Sequence, residues 1–155
     1  MPTLHLGVVD LPYNETPEPT NRPRKKKAAA GPAVTTGDVA EWLERKYHVM
    51  EHFAELHMED VVAPALENSL QGALESVLMG APTHLDPFGG ATSAIEDAFK
   101  RFIDTKEMDR LGYPGVPTKA SLIGIRRRFK NRRDPGRPSF QDSALYEGSM
   151  RAWVD

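Results

Sequence analysis

Hydrophobic residues recur along this chain with two different periods, and each period predicts a different element. Near the start every second residue is apolar, which predicts a short strand that Pro12 ends. The alternating residues are Leu4, Leu6 and Val8. After Thr35 apolar residues recur at every third or fourth position instead, as they do along one side of a helix. This stripe comprises Val39, Leu43, Tyr47, Met50, Ala54 and His57, with Trp42, Val49, Phe53 and Leu56 beside it.

Caps and prolines set the bounds of the first two predicted helices. Thr35 and Asp38 have the spacing of a capping box, so the first helix should begin there. Pro64 is tolerated only in a first helical turn, which predicts a break near Glu59 and a second helix that runs to Gly80. The apolar stripe of that second helix comprises Val62, Leu66, Leu70, Ala73 and Val77.

A loop and a third helix should follow. The stretch 80–92 is rich in proline and glycine, which indicates a loop. Ser93 and Glu96 repeat the capping-box spacing, so we expect the third helix to begin at Ser93. Its apolar side comprises Ile95, Phe99, Phe102 and Ile103.

The last third of the chain begins with a predicted basic helix. The Thr118 hydroxyl can cap it, and Leu122, Ile125 and Phe129 would form its buried stripe. Its other sides would carry Arg126, Arg127, Arg128 and Lys130. The segment 131–138 contains Arg132 and Arg133 and ends in prolines, which predicts a hinge.

A short helical turn and a strand should end the chain. Asp142 or Ser143 can cap a turn through Ala144–Tyr146, and Met150–Val154 is composed mostly of residues that favour strands. We therefore expect an α+β fold in which three or four helices hold a small antiparallel sheet that includes the first and last strands. Residues 1–35 would form a strand and an extended arm, and residues 36–155 one assembly domain.

Charge is segregated along the chain although the formal net charge is only −2. The segment 36–112 carries most of the acidic residues, whereas 113–155 is mainly basic. Opposite charges in one small chain attract each other, within a subunit or between neighbours in an assembly. The proline-rich segment 11–34 adds a cationic run, and it buries too little apolar surface to order alone. We expect it to dock on a partner.

One residue pattern suggests an enzyme. His48–His52 has the spacing H-x-x-E-H, in which two histidines bind zinc and the glutamate acts as base. No third ligand can be named from the sequence, and the pattern lies on the charged side of the predicted helix. We therefore expect a solvated helix face without a metal or other cofactor, and no enzyme, with a zinc hydrolase as a remote alternative.

Several stretches of the last third share a pattern with a known family. A basic helix around Gly124 is followed by Arg137-Pro138-Ser139-Phe140 and then by residues 142–149. Together they resemble the C-terminal signature of neck and tail-completion proteins of long-tailed bacteriophages, with Ser143-Ala144 where that family usually has Thr-Gly. The resemblance implies a structural protein without catalytic residues.

The resemblance also implies partners and a location. It implies a homo-oligomeric ring, for which we consider a hexamer or a dodecamer, that joins the head connector to the tail within the virion. The chain would be made in the host cytoplasm, without membrane contact, and would touch other neck, connector or tail proteins. A nucleic-acid-binding accessory protein that uses the arginine run is the alternative.

Two sets of residues are the predicted contacts of such an assembly. The expected subunit interface comprises Leu4, Leu6, Val8, Arg126, Arg127, Arg128, Lys130, Arg132, Arg133 and Trp153. The residues expected to face passing DNA are Arg24, Lys25, Lys26 and Lys27.

Overall fold

The computed structural model describes residues 3–12, 34–80, 86–124, 135–141 and 145–155. Within these ranges the chain is mainly helical with a small antiparallel sheet, so the predicted α+β class is confirmed. In chain order the elements are β1 (Leu4–Val8), α1 (Thr36–Tyr47), α2 (Val49–His57), a π-helical turn (Met58–Val62), α3 (Ala63–Leu78), α4 (Gly89–Asp104), α5 (Glu107–Arg110), α6 (Lys119–Ile123), α7 (Leu145–Ser149) and β2 (Met150–Val154).

The two strands at the ends of the described chain pair with each other, as predicted. β1 and β2 run antiparallel, with Leu4 opposite Val154 and Val8 opposite Met150. Thr3 and Asp155 extend the pairing, since each backbone N–H donates to the other's carbonyl oxygen, at 2.8 and 3.1 Å. The alternation of a pleated strand then turns one face of the sheet to the core and the other outward.

The core lies where α4 packs against α2, α3 and β2. Its centre is a set of aromatic rings, with Phe53 and Phe99 in an edge-to-face contact at 5.2 Å between ring centroids. Burial of each such side chain stabilises the fold by about 1.5–3 kcal/mol relative to exposure. All four residues predicted for the apolar side of the third helix are buried: Ile95, Phe99, Phe102 and Ile103.

The start of α4 differs from the prediction. The helix begins at Gly89, so Ser93 lies inside it and does not cap it. The reason is a turn that precedes Gly89, in which the Asp86 carboxylate accepts a hydrogen bond from the Phe88 N–H at 3.0 Å. Glu96, the supposed partner of Ser93, instead accepts from the backbone N–H of Ala152 at 3.1 Å.

The helical region before α4 is interrupted twice. The predicted break near Glu59 is the π-helical turn, and Pro64 lies in the first turn of α3 as expected. The second interruption was not predicted: His48 adopts a left-handed conformation with φ of 51°, which separates α1 from α2. A left-handed residue other than glycine or asparagine leaves little trace in sequence.

The predicted basic helix is much shorter in the described residues. Thr118 caps it as expected, because its hydroxyl accepts from the Ser121 N–H at 3.2 Å. However, α6 ends at Gly124, whose φ of 72° is the left-handed conformation that glycine adopts readily. Leu122 is exposed rather than buried. The remaining predicted helical residues, 125–130, lie outside the described residues.

Thr36 fixes the end of β1 to the start of α1. Its buried hydroxyl donates to the Val9 carbonyl oxygen at 2.5 Å and accepts from the Leu11 N–H at 2.8 Å. The Thr36 N–H in turn donates to the Leu11 carbonyl oxygen at 2.8 Å. These three bonds hold the strand and the first helix together across the segment that separates them in sequence.

The predicted arm leaves and rejoins the fold at one place. Pro12 and Thr35 pair as an antiparallel bridge, and the Gly37 N–H donates to the Asp10 carboxylate at 3.0 Å. Contact with the Thr35 hydroxyl and this bond from Gly37 lower the pKa of Asp10. With both ends fixed, residues 13–33 can reach at most about 35 Å, half their extended length. The expectation of an arm that leaves its own domain is corrected to that of a closed loop, whose residues lie outside the described ones.

Candidate functional site

The sheet has an outer face that is built around Trp153. The His5 imidazole stacks on the Trp153 indole at 5.3 Å, and His5 Nε2 lies 2.8 Å from Asp155 Oδ1. Gly7 makes this possible, because a Cβ atom there would lie only 3.0 Å from Cη2 of Trp153. The indole nevertheless remains 47% exposed, so Trp153 is available to a neighbour, as predicted for an interface residue.

The inner face of the sheet is used differently from the prediction. Leu4, Leu6 and Val8 pack against the core of their own chain, where they face β2 residues such as Met150 and Ala152. The sequence pattern had assigned these three side chains to a subunit interface. The correction has a simple cause: β1 finds its partner strand in β2, so its apolar face is already covered.

The two edges of the sheet are not equivalent. The edge of β2 lies against α4, where Glu96 accepts from the Ala152 N–H. In an antiparallel pair alternate residues direct their backbone groups away from the partner strand, and the pairing of Thr3 with Asp155 makes these Leu4, Leu6 and Val8 on β1. No other strand of the described chain pairs with this edge of β1.

The remaining predicted contact residues cannot be placed. They lie outside the described residues and comprise Arg24, Lys25, Lys26, Lys27, Arg126, Arg127, Arg128, Lys130, Arg132 and Arg133. The described residues on either side of the arginine run are nevertheless joined. The Gly136 N–H donates to the Ser121 carbonyl oxygen at 2.9 Å, and the Ser121 hydroxyl donates to the Arg137 carbonyl oxygen. The predicted hinge therefore ends in a turn held against α6.

The histidine pattern forms a compact group between α1, α2 and the connector before α6. His48 Nδ1 lies 2.6 Å from Glu51 Oε2, and His52 Nδ1 lies 3.4 Å from Glu55 Oε2. The two imidazole rings are 6.5 Å apart, and the Tyr113 ring lies 5.0 Å from that of His52. Each histidine is thus oriented by the glutamate three residues later.

Glu44 completes this group and was missed by the sequence reasoning. Its two carboxylate oxygens accept from the backbone N–H groups of Met50 at 2.8 Å and Glu51 at 3.1 Å. These donors are free because His48 gives α2 no side-chain cap. A carboxylate is favourable at a helix N-terminus, so Glu44 caps α2 from the preceding helix.

This geometry differs from that of the inverted zinc motif. In that motif two histidines bind the metal and the glutamate acts as base. Here the residues whose possible ligand atoms lie within 4.8 Å of one another are Glu44, His48 and Glu51, without His52. Glu51 is hydrogen-bonded to His48, and both oxygens of Glu44 bind backbone N–H groups. The arrangement accounts for helix capping and histidine orientation without a metal.

A second surface that the sequence reasoning missed is the outer side of α3. Leu70 and Val77 were predicted to be buried, but both are more than half exposed. None of the residues of α3 is fully buried, although the helix is rich in apolar side chains. Apolar spacing identified the helix but not the direction in which its stripe points.

Comparison of the chain with family models, with curated proteins and with solved structures finds no match. A separate finding concerns membranes. None of the helices formed by the described residues combines the length and the apolar character needed to cross a bilayer.

Proposed function

We propose that the protein is a structural component of a tailed-phage virion that assembles as a ring in the neck or tail-completion region. The observation that carries this proposal is the residue pattern from Arg137 to Ser149, which resembles the C-terminal signature of that family. The pattern leads into β2, as the signature leads into its final strand. The partners we propose are further copies of the chain and the neighbouring connector and tail proteins.

Three features of the described residues support a role in assembly. A two-stranded sheet is marginally stable alone, and the outward edge of β1 can accept a strand from a neighbour. Trp153 offers a half-exposed aromatic ring beside that edge. The acidic middle and basic end of the chain provide complementary charge for contacts between subunits.

Reversal of charge in the arginine run tests the proposal. We expect that a variant with Arg126, Arg127 and Arg128 all changed to Glu folds normally but no longer forms rings. Exposed charges contribute little to folding, whereas like charges that meet across an interface cost several kcal/mol, on the order of 2–5. Mass photometry and negative-stain imaging of the purified full chain would measure assembly, and far-UV circular dichroism would report folding.

A matched variant controls for net charge. Arg45, Arg101 and Arg110 are exposed in the described residues, and their change to Glu alters the net charge equally. We expect that variant to assemble like the wild type. The proposal fails if the wild type forms no ring at any concentration, or if the two triple variants assemble equally well. Tight, salt-sensitive DNA binding by a wild type that does not assemble would favour the nucleic-acid alternative.

A further inference from the structure

The end of α3 exposes a row of large apolar side chains. The exposed fractions are 51% for Leu70, 60% for Leu74, 52% for Val77, 77% for Leu78 and 87% for Met79. Exposed apolar residues are common when they are scattered singly, but here five lie within ten positions of one element. A cluster of this kind marks a surface that is covered in the working state of a protein.

The inward side of the same helix explains why these residues point outward. Ser69, Ala73 and Ser76 are the partly buried residues along the second half of α3. They recur at three- and four-residue steps, and the Ser69 hydroxyl lies close to Gly90 of α4. Small residues let α3 pack closely on α4, so the large residues occupy the opposite side. Leu70, Leu74 and Val77 then follow the four- and three-residue steps of a helix-pairing seam.

We propose that this seam, defined as Leu70, Leu74, Val77 and Leu78, binds the same seam of a second copy of the chain. In an antiparallel pair with the two-fold axis at Leu74, Leu70 of one copy lies opposite Leu78 of the other. The seam and Met79 expose on the order of 500 Å² per copy, which is large for a patch on a monomer. Two such patches bury about 1,000 Å² in total, the lower limit of a specific interface.

The charges on α3 determine how this contact responds to salt. The helix contains Glu67 and Glu75 but no lysine or arginine. Glu75 lies about 100° around the helix from Leu74, and Glu67 lies about two turns before it, so both acids lie at the rim of the seam. Like charges at a rim repel weakly, and added salt screens that repulsion. Self-pairing should therefore be unchanged or slightly stronger at high salt, whereas docking of a basic segment on α3 would weaken.

The contact does not rest on the proposed virion role, and the absence of cysteine permits a direct test. The chain contains no cysteine, so a single Leu74→Cys substitution places one thiol at the expected axis. Facing helices 8–10 Å apart bring opposed Cα atoms within the range that a disulfide spans. We expect mild oxidation of the full chain to give a covalent dimer, at a rate that added salt does not reduce. Asn68→Cys, on an exposed position about 120° away, is the matched control and should remain a monomer.

A second variant tests the same seam without a thiol. Leu74→Asn should shift the reversible dimer to monomer by at least tenfold in dissociation constant across a micromolar dilution series followed by sedimentation. Leu111→Asn changes a side chain that is 41% exposed outside the seam, and it should leave the dimer intact. Equal cross-linking of the two cysteine variants, or cross-linking of the Leu74→Cys variant that salt abolishes, would overturn the proposal. So would a wild type that is monomeric throughout the series.

Discussion

At the scale of single residues, Thr36 shows how a buried polar group can be decisive without being visible in the sequence. The side chain is fully buried, and its hydroxyl serves one donor and one acceptor of the segment after β1. In the sequence Thr36 is only the residue after a helix cap. Its partners lie 25 and 27 positions away, so no local pattern predicts the contact.

Replacement of Thr36 by valine should destabilise the fold by about 1–3 kcal/mol. Valine fills the same space but leaves the Leu11 N–H and the Val9 carbonyl without a partner. Thr36→Ser keeps the hydroxyl and should cost clearly less. Urea denaturation of the wild type and both variants measures the difference, and equal losses for Val and Ser would show that the methyl group matters rather than the hydrogen bonds.

At the scale of elements, helix starts were predicted where the cap is local and missed where it is not. Thr35 and Thr118 cap helices through residues three positions later, so the sequence alone revealed them. The N-terminus of α2 is capped by Glu44 across the break at His48, and no sequence rule places a cap six residues upstream. The same break means that the two histidines of the H-x-x-E-H pattern do not lie on one continuous helix.

Glu44→Ala should cost about 0.5–2 kcal/mol, the usual effect of removing a helix cap. Glu41→Ala is the matched control, since Glu41 is exposed on the same helix and its contact is an ion pair with Arg45. That change should cost no more than about 0.5 kcal/mol. Thermal or urea unfolding with and without a chelator compares them. A loss that appears only when divalent metal is present would indicate that Glu44 is a metal ligand instead.

At the scale of the whole molecule, apolar stripes predicted the elements better than their packing. The stripe of α4 is buried as expected because the helix is surrounded by other elements. The stripe predicted for α3 mixed inward Leu66 and Ala73 with outward Leu70 and Val77, because spacing alone does not tell which neighbour a helix meets. The pairing of the end strands was predicted, whereas the closure of the arm at Pro12 and Thr35 was not.

That closure makes a deletion informative. Replacement of residues 13–33 by a glycine-rich linker of about four residues should leave the fold intact, because bridged residues need only a short turn. Deletion of residues 3–12 should instead unfold the protein, since it removes β1 from the core. Circular dichroism and thermal unfolding compare the two. Unfolding of the first variant, or a cooperative transition in the second, would contradict this account.

The sheet also bears on the order in which the chain can fold. His5 and Asp155 are 150 positions apart, so β1 is synthesised before every other described element and β2 after them. Until β2 is made, Leu4, Leu6 and Val8 have no partner strand in the described chain, and an unpaired apolar strand is prone to aggregation. Pairing at such separation carries a large loop-closure cost, so helices built from local contacts should form first and the sheet last. The slow step of folding should therefore be the meeting of the two strands.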